Sequence, residues 1–359
     1  MPQGLSIHLG LNHIDPTAYG GFEGRLAGCL NDAAAMQKIA SAMGYSTESL
    51  LDEQATSANL IAAISSAAGR LTTGDILLLT YSGHGAEVPD PTHTEPTGMN
   101  QTWVLFDRLF VDDELYALWS RFAAGVRIFV LSDSCHSGTV TRDMQYANAL
   151  AGNAALSRGY GVPEDTQPQF RNMPVDRQQE TYQAHKLVYD VIGTYTPKDL
   201  PVQANILLIS GCQDNQLSAD GAVNGLFTQN LLQVWNGGFQ GDYRRFQQAI
   251  VALMPPTQVP NYYVVGAPSP EFERQQPFSI TPGTGGSGGP GIAGSGASGT
   301  AGSGSQAQNE AAQWLATIKT RMSSDPWFEI RLRLNPRGTL AAAGVPAAVV
   351  DDVLSRLWS

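Results

Sequence analysis

Residues Asp75–Tyr81 read DILLLTY and run straight into Ser82-Gly83-His84-Gly85. Residues Val126–Ser132 read VRIFVLS and run into Asp133-Ser134-Cys135-His136-Ser137-Gly138. Each is a short, unbroken apolar run that ends in small and polar residues. A run this short and this apolar predicts a strand covered on both faces. Asn205–Ser210 (NILLIS) and Leu5–Leu9 are of the same kind. Between them the spacing predicts helices over Leu30–Ala42, with Leu30, Ala34, Ile39 and Met43 near one face, and over Ser57–Ala68, with Thr56 or Ser57 as N-cap. Further helices are predicted over Asp112–Phe122, Phe227–Trp235 and Tyr243–Leu253. Strands alternating with helices imply an α/β fold, a mostly parallel sheet between helical layers. In such sheets ligands sit at the carboxyl ends of the strands, which is where His84 and Cys135 fall.

A cysteine and a histidine at neighbouring strand ends make a hydrolytic pair. A free thiol is only about 3% thiolate at pH 7. A histidine raises that fraction and protonates the departing amine. Gly85, having no Cβ, lets its N–H approach a substrate closely, and with the N–H of Cys135 it forms a candidate oxyanion hole. A single cysteine at a strand end is usually structural, and a single histidine among glycines is usually a turn residue. Their joint occurrence past two core strands favours chemistry. His136 is the weaker candidate base, because adjacent side chains point apart. His8, His13, His93 and His185 are expected on the surface or in loops.

Four motifs in order resemble the caspase-like cysteine proteases, most closely the metacaspases and their bacterial relatives, the orthocaspases. They are Leu26-Ala-Gly-Cys29-Leu-Asn31-Asp32-Ala, Tyr81-Ser-Gly-His84-Gly, Asp133-Ser-Cys135-His-Ser-Gly, and Ile209-Ser-Gly-Cys212-Gln-Asp214-Asn-Gln-Leu-Ser-Ala-Asp220, with Gly225-Leu-Phe-Thr228 opening the next helix. The resemblance covers about residues 4–265. It implies the caspase–haemoglobinase fold, a three-layer α/β/α sandwich, with Cys135 as nucleophile and His84 as base. It also implies cleavage after Arg or Lys through an acidic S1 pocket, matched here by Cys29, Asp32, Ser82 and Asp133, with Asp214 bracing the wall. Two carboxylates converging on one pocket repel unless a cation lies between them, and a guanidinium supplies that cation in bidentate geometry. Many metacaspases need calcium. Asp112 and Asp113 match part of that carboxylate cluster, but Thr97 and Arg142 stand where further acids are expected. Calcium wants six to eight oxygens, so the expectation is a weakened or absent site and no cofactor.

The formal net charge of −11 argues against a general nucleic-acid or anionic-lipid binder. Three widely spaced cysteines form no disulfide framework or zinc motif, and no stretch is apolar enough to span a membrane. A cytoplasmic protein is expected. Eleven of the 28 residues from Thr281 to Gln308 are Gly, which predicts a flexible linker. It separates a peptidase domain over 4–280 from a small, helical C-terminal unit over 309–359, with predicted helices at Gln313–Arg321 and Pro346–Trp358. That unit is a candidate docking module for a protein partner. Thr139–Gln203 is long and polar with weak periodicity, and it contains Arg142, Arg158, Arg171, Arg177, Lys186 and Lys198, each a potential self-cleavage point. The expectation is therefore an endopeptidase, self-processing, acting on protein or peptide substrates with a basic P1 residue, with roles in bacterial stress, defence or regulated cell death implied by the resemblance. The alternatives are a caspase-like pseudoprotease scaffold working through its C-terminal module, or a related protease with another P1 preference.

Overall fold

In a computed structural model, the described residues are 2–95, 97–134, 170–196, 200–212, 216, 218–221, 223–281, 313–319, 340, 343–346 and 348–357. The chain forms two compact units, Met1–Gly286 and Ser287–Ser359. The first contains β1 (Gly4–Gly10), α1 (Cys29–Ala42), β2 (Ser46–Leu51), α2 (Ser57–Arg70), β3 (Ile76–Ser82), β4 (Gly85–Pro89), β5 (Met99–Val104), β6 (Leu109–Val111), α3 (Asp112–Trp119) and β7 (Arg127–Asp133). It continues with α4 (Val175–Ala184), α5 (Lys186–Tyr195), β8 (Asn205–Ser210), α6 (Leu226–Trp235), α7 (Tyr243–Val251) and β9 (Asn261–Gly266).

The main sheet has strand order β2-β1-β3-β7-β8-β9. All neighbours are parallel except β8 and β9, which are antiparallel. The unbroken apolar runs have a simple cause. Successive side chains of a strand point to opposite faces, and both faces are covered. Leu77, Leu79, Ile128 and Val130 pack with α2 and α3 on one side. Ile76, Leu78, Phe129 and Leu131 pack with α1, α6 and α7 on the other. This is the three-layer sandwich that the alternation implied. Thr56 is the N-cap of α2, its side chain accepting from the Asn59 N–H.

Several elements depart from the sequence reading. β2 (STESLL) is an edge strand with mostly exposed or half-buried residues, so it lacks the apolar run used to find strands. β4, β5 and β6 form a separate antiparallel sheet. The stretch read as weakly periodic contains α4 and α5. His8, expected in a loop or on the surface, is wholly buried in β1. Its ring nitrogens sit 2.9 Å from Thr80 Oγ1 and 2.9 Å from Ser6 Oγ, and those partners are why the strand tolerates it.

In the second unit the described residues include a helix over 313–319 and the helix Val350–Leu357. Ile318, Leu340, Val345, Val349, Val350, Val353 and Leu357 form its buried cluster. The Gly-rich stretch beyond Thr281 lies outside the described residues. Among the described residues no helix is long and apolar enough to cross a membrane.

Candidate active site

Two parallel strands end side by side. Ser82 of β3 and Asp133 of β7 are register partners, and Gly10 of β1 pairs with Ser82 from the other side. A Cβ at Gly10 would stand 2.6 Å from the Cys29 carbonyl oxygen. Glycine there lets the start of α1 settle directly on the strand ends. Asn12 Oδ1 receives the Cys29 N–H at 2.9 Å and anchors that start. Asp32, in the first turn, therefore overhangs the Ser82–Asp133 pair, and Ser82 Oγ donates to Asp32 Oδ2 at 2.7 Å.

Into this corner comes Arg171, whose side chain is 0% exposed. Its Nη2 donates to Asp32 Oδ2 at 2.6 Å and to Asp220 Oδ1 at 2.8 Å. Its Nη1 reaches Asp133 Oδ2 at 2.9 Å and Ser82 Oγ at 2.8 Å. Its Nε donates to Asp220 Oδ1 at 3.2 Å. Each carboxylate is fixed from behind. Asp133 accepts from Ser218 Oγ and Thr228 Oγ1, both at 2.7 Å, and Asp32 Oδ1 accepts from Asn224 Nδ2 at 2.8 Å. Asp220 Oδ2 accepts from the Ala27 N–H at 2.6 Å. Burial pushes the Asp32 carboxyl up, to about 6; Arg171 opposes the rise and Asp133 adds to it. Burial opposes the Arg171 charge, yet Asp133, Cys29, Asp32 and Asp220 outweigh it and hold the guanidinium well above its ordinary value. The Cys29 thiol lies in the same corner; burial pushes it up, with Arg171 opposing. Three buried carboxylates would repel one another without a cation among them.

The backbone around Arg171 is as ordered as its side chain. The Arg171 N–H donates to Ser218 O at 3.0 Å, and Phe170 makes an antiparallel bridge with Ala219. The Arg171 carbonyl accepts the Gly85 N–H at 2.8 Å, and the Met173 N–H donates back to Gly85 O at 2.9 Å. Gln178, on α4, links this segment to β4: its Nε2 donates to Met173 O at 2.6 Å and its Oε1 accepts from the Glu87 N–H at 2.9 Å. An extended stretch thus lies across the strand ends, with a basic side chain in a pocket and its carbonyl on the N–H of Gly85.

His84 lies between β3 and β4. Its carbonyl accepts from Tyr81 Oη at 2.6 Å and from the Val104 N–H at 2.9 Å, and Phe22 lies 5.6 Å from the ring. Nε2 is 3.1 Å from the Gly24 carbonyl oxygen. A carbonyl only accepts, so Nε2 carries the proton and Nδ1 is left as the acceptor. Nδ1 is buried and makes no hydrogen bond of ordinary geometry among the described residues, although the Asn172 backbone lies close to the ring. Burial pulls the imidazole down to about 4, while the Gly24 carbonyl, Asp220 and the Asn172 backbone push it back up. It is neutral at pH 7, as a general base must be.

The structure brings together Asp32, Ser82, Asp133, Cys29, His84 and Gly85. Cys135, His136, Asp214 and Arg142 lie outside the described residues. Asp112 and Asp113 open α3, and Asp112 Oδ1 accepts the Asp113 N–H at 3.0 Å. Thr97 Oγ1 is tied to the Met99 backbone. Among the described residues, the group of three or more potential metal ligands is His13, Asp52 and Glu53, which includes neither. The sequence reading missed Asp220 as a pocket residue. The signal was present: an acid in the loop after β8 obeys the same strand-end rule that singled out His84 and Cys135.

Comparison with known proteins agrees with this fold. Residues 14–273 match the caspase domain family (Peptidase C14). Metacaspase-1 of Mycosarcoma maydis is 28% identical over 257 residues, covering 65% of this chain and 64% of that protein. Metacaspase-4 of Arabidopsis thaliana is 34% identical over 131 residues, covering 33% of this chain and 31% of that one. The matches thus span under two thirds of these relatives' own lengths. The crystal structure of protein GSU0716 from Geobacter sulfurreducens is 47% identical, covers 78% of this chain and all of that one, and superposes with a TM-score of 0.68. The chain belongs to the caspase-domain family of cysteine-type peptidases.

Proposed function

We propose that this chain is a cysteine endopeptidase that cuts after basic residues, Arg before Lys, and that it processes itself between Arg171 and Asn172. One observation carries the reading: the chain's own Arg171 lies as a P1 residue would, with its guanidinium among Asp32, Asp133 and Asp220 and its carbonyl 2.8 Å from the Gly85 N–H. A structural ion cluster needs only the guanidinium there; the carbonyl meets Gly85 through a parallel bridge between Gly85 and Asn172, which lays residues 171–173 in extended form beside the start of β4, as a bound substrate would lie. In this mechanism His84 Nδ1 takes the proton of the Cys135 thiol, and the sulfur attacks the carbonyl carbon of the P1 residue. The developing oxyanion is held by the Gly85 N–H together with that of Cys135. The carbon–nitrogen bond breaks, His84 returns the proton to the leaving amine, and water hydrolyses the thioester. The neutral histidine with its protonated Nε2 on Gly24 O has the tautomer this requires. The thiol–imidazole pair needs no metal for any step, and Thr97 and Arg142, standing where further acids would complete a calcium cluster, support activity without calcium.

A second reading draws on the same seat. A pocket filled by the chain's own wholly buried arginine also suits a scaffold that is held shut. Intact-mass analysis separates the two. The endopeptidase reading expects fragments that meet between residues 171 and 172, absent in Cys135→Ala and His84→Ala, together with hydrolysis of Arg peptides by the processed protein. Protein that stays whole and turns over no P1-Arg peptide refutes it and leaves the scaffold.

A further inference from the structure

β9 runs antiparallel to β8, and its first residue, Asn261, pairs with Ser210 at the end of that strand. The turn leading into β9 therefore lies at the strand ends. Gln258 sits in that turn, 2% exposed, with its own N–H on Pro255 O at 3.0 Å. Its side-chain Oε1 accepts the Ala219 N–H at 3.1 Å. Nε2 donates to Gly211 O at 3.0 Å and to Ser218 Oγ at 2.9 Å. A backbone N–H only donates and a carbonyl only accepts, so these partners fix which end of the amide is which. Ser218 Oγ receives from Nε2 and sends its own proton to Asp133 Oδ1 at 2.7 Å.

Ser218 and Ala219 are the residues along which the Phe170–Arg171 segment lies. The Arg171 N–H donates to Ser218 O at 3.0 Å, and Phe170 forms an antiparallel bridge with Ala219 outside the strands of either sheet. A strand inside a sheet has its far edge held by a neighbour's N–H and C=O groups. Behind Ala219 the side-chain amide of Gln258 does that work, and it ties the pair to Gly211 at the end of β8. Ser218 C=O and Ala219 N–H belong to one planar peptide group. One side of that plane faces Arg171 and the other faces Gln258. Without Gln258 the buried Ala219 N–H would lose this acceptor and turn toward another, and Ser218 O would turn with it.

Resting on the reading that Arg171 lies where a substrate's P1 residue lies, we propose that Gln258 is a positioning residue for substrate binding. It fixes from behind the peptide plane whose carbonyl receives the P1 N–H. Its amide bonds to Gly211, Ser218 and Ala219 rather than to His84 or Gly85. The P1 N–H bond is made equally before and during attack on the carbonyl, so weakening it raises KM and leaves kcat.

Gln258→Met keeps the length of the side chain and removes its amide. On a P1-Arg peptide it is expected to raise KM about tenfold, the worth of one or two hydrogen bonds, with kcat within about threefold of wild type. A matched peptide with an N-methylated P1 Arg has no N–H to give Ser218 O, and its kcat/KM should fall less than about threefold. Equal losses on the two peptides, a loss confined to kcat, or an unchanged KM would overturn the proposal. Should Gln258→Met not fold, Gln258→Glu serves for the same comparison: it keeps an acceptor for Ala219 but sets an oxygen against Gly211 O and competes for the Ser218 proton. A second measurement is independent of catalysis. In the full chain carrying Cys135→Ala, trypsin nicking after Arg171 reports how often the segment leaves its place. Gln258→Met should raise it about tenfold, beyond what any change in the unfolding equilibrium accounts for. Nicking that rises only as that equilibrium shifts would assign Gln258 to the fold alone and overturn the proposal. A wild type without peptidase activity would sink the proposed function, and the nicking would still decide whether Gln258 holds the segment's seat.

Discussion

Gly225 is the wall of the pocket, and replacing it is the sharpest available test of how the pocket works. A Cβ built on Gly225 would stand 2.5 Å from Arg171 Cζ, 2.5 Å from Nη2 and 2.7 Å from Nη1. Non-bonded carbon contacts sit near 3.5–4.0 Å, so the guanidinium would have to retreat by about 1 Å. It has no slack for that. Its Nη2 is held at 2.6 and 2.8 Å by Asp32 and Asp220, and its Nη1 at 2.9 Å by Asp133. A retreat of that size breaks at least two charge-assisted bonds, each worth about 1.5–3 kcal/mol. The loss is then about 3–6 kcal/mol, or roughly 10²- to 10⁴-fold at about 1.4 kcal/mol per decade. The backbone raises no objection to alanine: Gly225 has φ −61° and ψ 151°, ordinary extended values. Its N–H, which donates to Asp32, is kept. Gly225→Ala should therefore cut turnover of a P1-Arg peptide at least about a hundredfold. A peptide with a small P1 residue should keep its own low rate, and in the Cys135→Ala chain trypsin should nick at Arg171 much faster. Turnover of the P1-Arg peptide within about threefold of wild type would refute the steric argument and the seat itself.

Three further outcomes are expected. Asp133→Asn leaves a terminal NH₂ or oxygen where Oδ2 now accepts from Thr228 and Arg171; removing one partner of a buried charge pair costs about 2–5 kcal/mol, so P1-Arg turnover should fall at least about thirtyfold, and a smaller loss would count against Asp133 in S1. Burial pulls His8 down to about 3, below the roughly 6.5 of an unfolded chain. Its contribution to stability is therefore present above pH 6.5 and is lost as pH falls toward 3, at about 1.4 kcal/mol per unit. His8→Asn should flatten the decline of the unfolding midpoint between about pH 6 and 4, and an unchanged slope would contradict a neutral, buried His8. Peptidase activity should survive a chelator, because Thr97 and Arg142 stand where the resemblance expects further acids; activity lost to chelator and restored by calcium would overturn that.

The central strands were legible because parallel strands covered on both faces have no polar side to show. Hence β1, β3, β7 and β8 lie within a residue or so of the apolar runs that predicted them. The edge was not legible for the same reason. β2 has mostly exposed or half-buried residues and carries neither a run nor a hydrophobic alternation. The β4–β6 hairpins were hidden too. Gly85–Pro89 and Met99–Val104 mix apolar residues with Glu87, Asn100 and Gln101, whose burial is set by α4 and by the hairpin partner rather than by local pattern. His8 failed as a loop residue because its polarity is answered by Ser6 and by Thr80 on the neighbouring strand, and the second partner lies 72 residues away in the chain.

The site divides along the same line. His84 and Gly85 each follow a readable strand, so the rule that ligands gather at strand ends found them; Ser82 and Asp133 stand at the same strand ends, but their place in the pocket came from the resemblance to a family. Asp32 lies on a helix, and its arrival depends on how tightly α1 approaches β1 at Gly10. Only the resemblance to a family supplied it. Arg171 was one of six cations in a long polar stretch, and nothing local distinguishes it from Arg177 or Lys186. The distinction comes from the sheet. β7 and β8 are adjacent parallel strands, and on the way from one to the other residues 170–173 pass over the strand ends. The stretch that passes Ala219 on one side and Gly85 on the other is the one whose side chain falls between Asp32, Asp133 and Asp220. A cation there is required by the three buried carboxylates, and its carbonyl is fixed by Gly85. Charge selects the residue type, but connectivity selects which residue, and only the second lies beyond what a sequence pattern can carry.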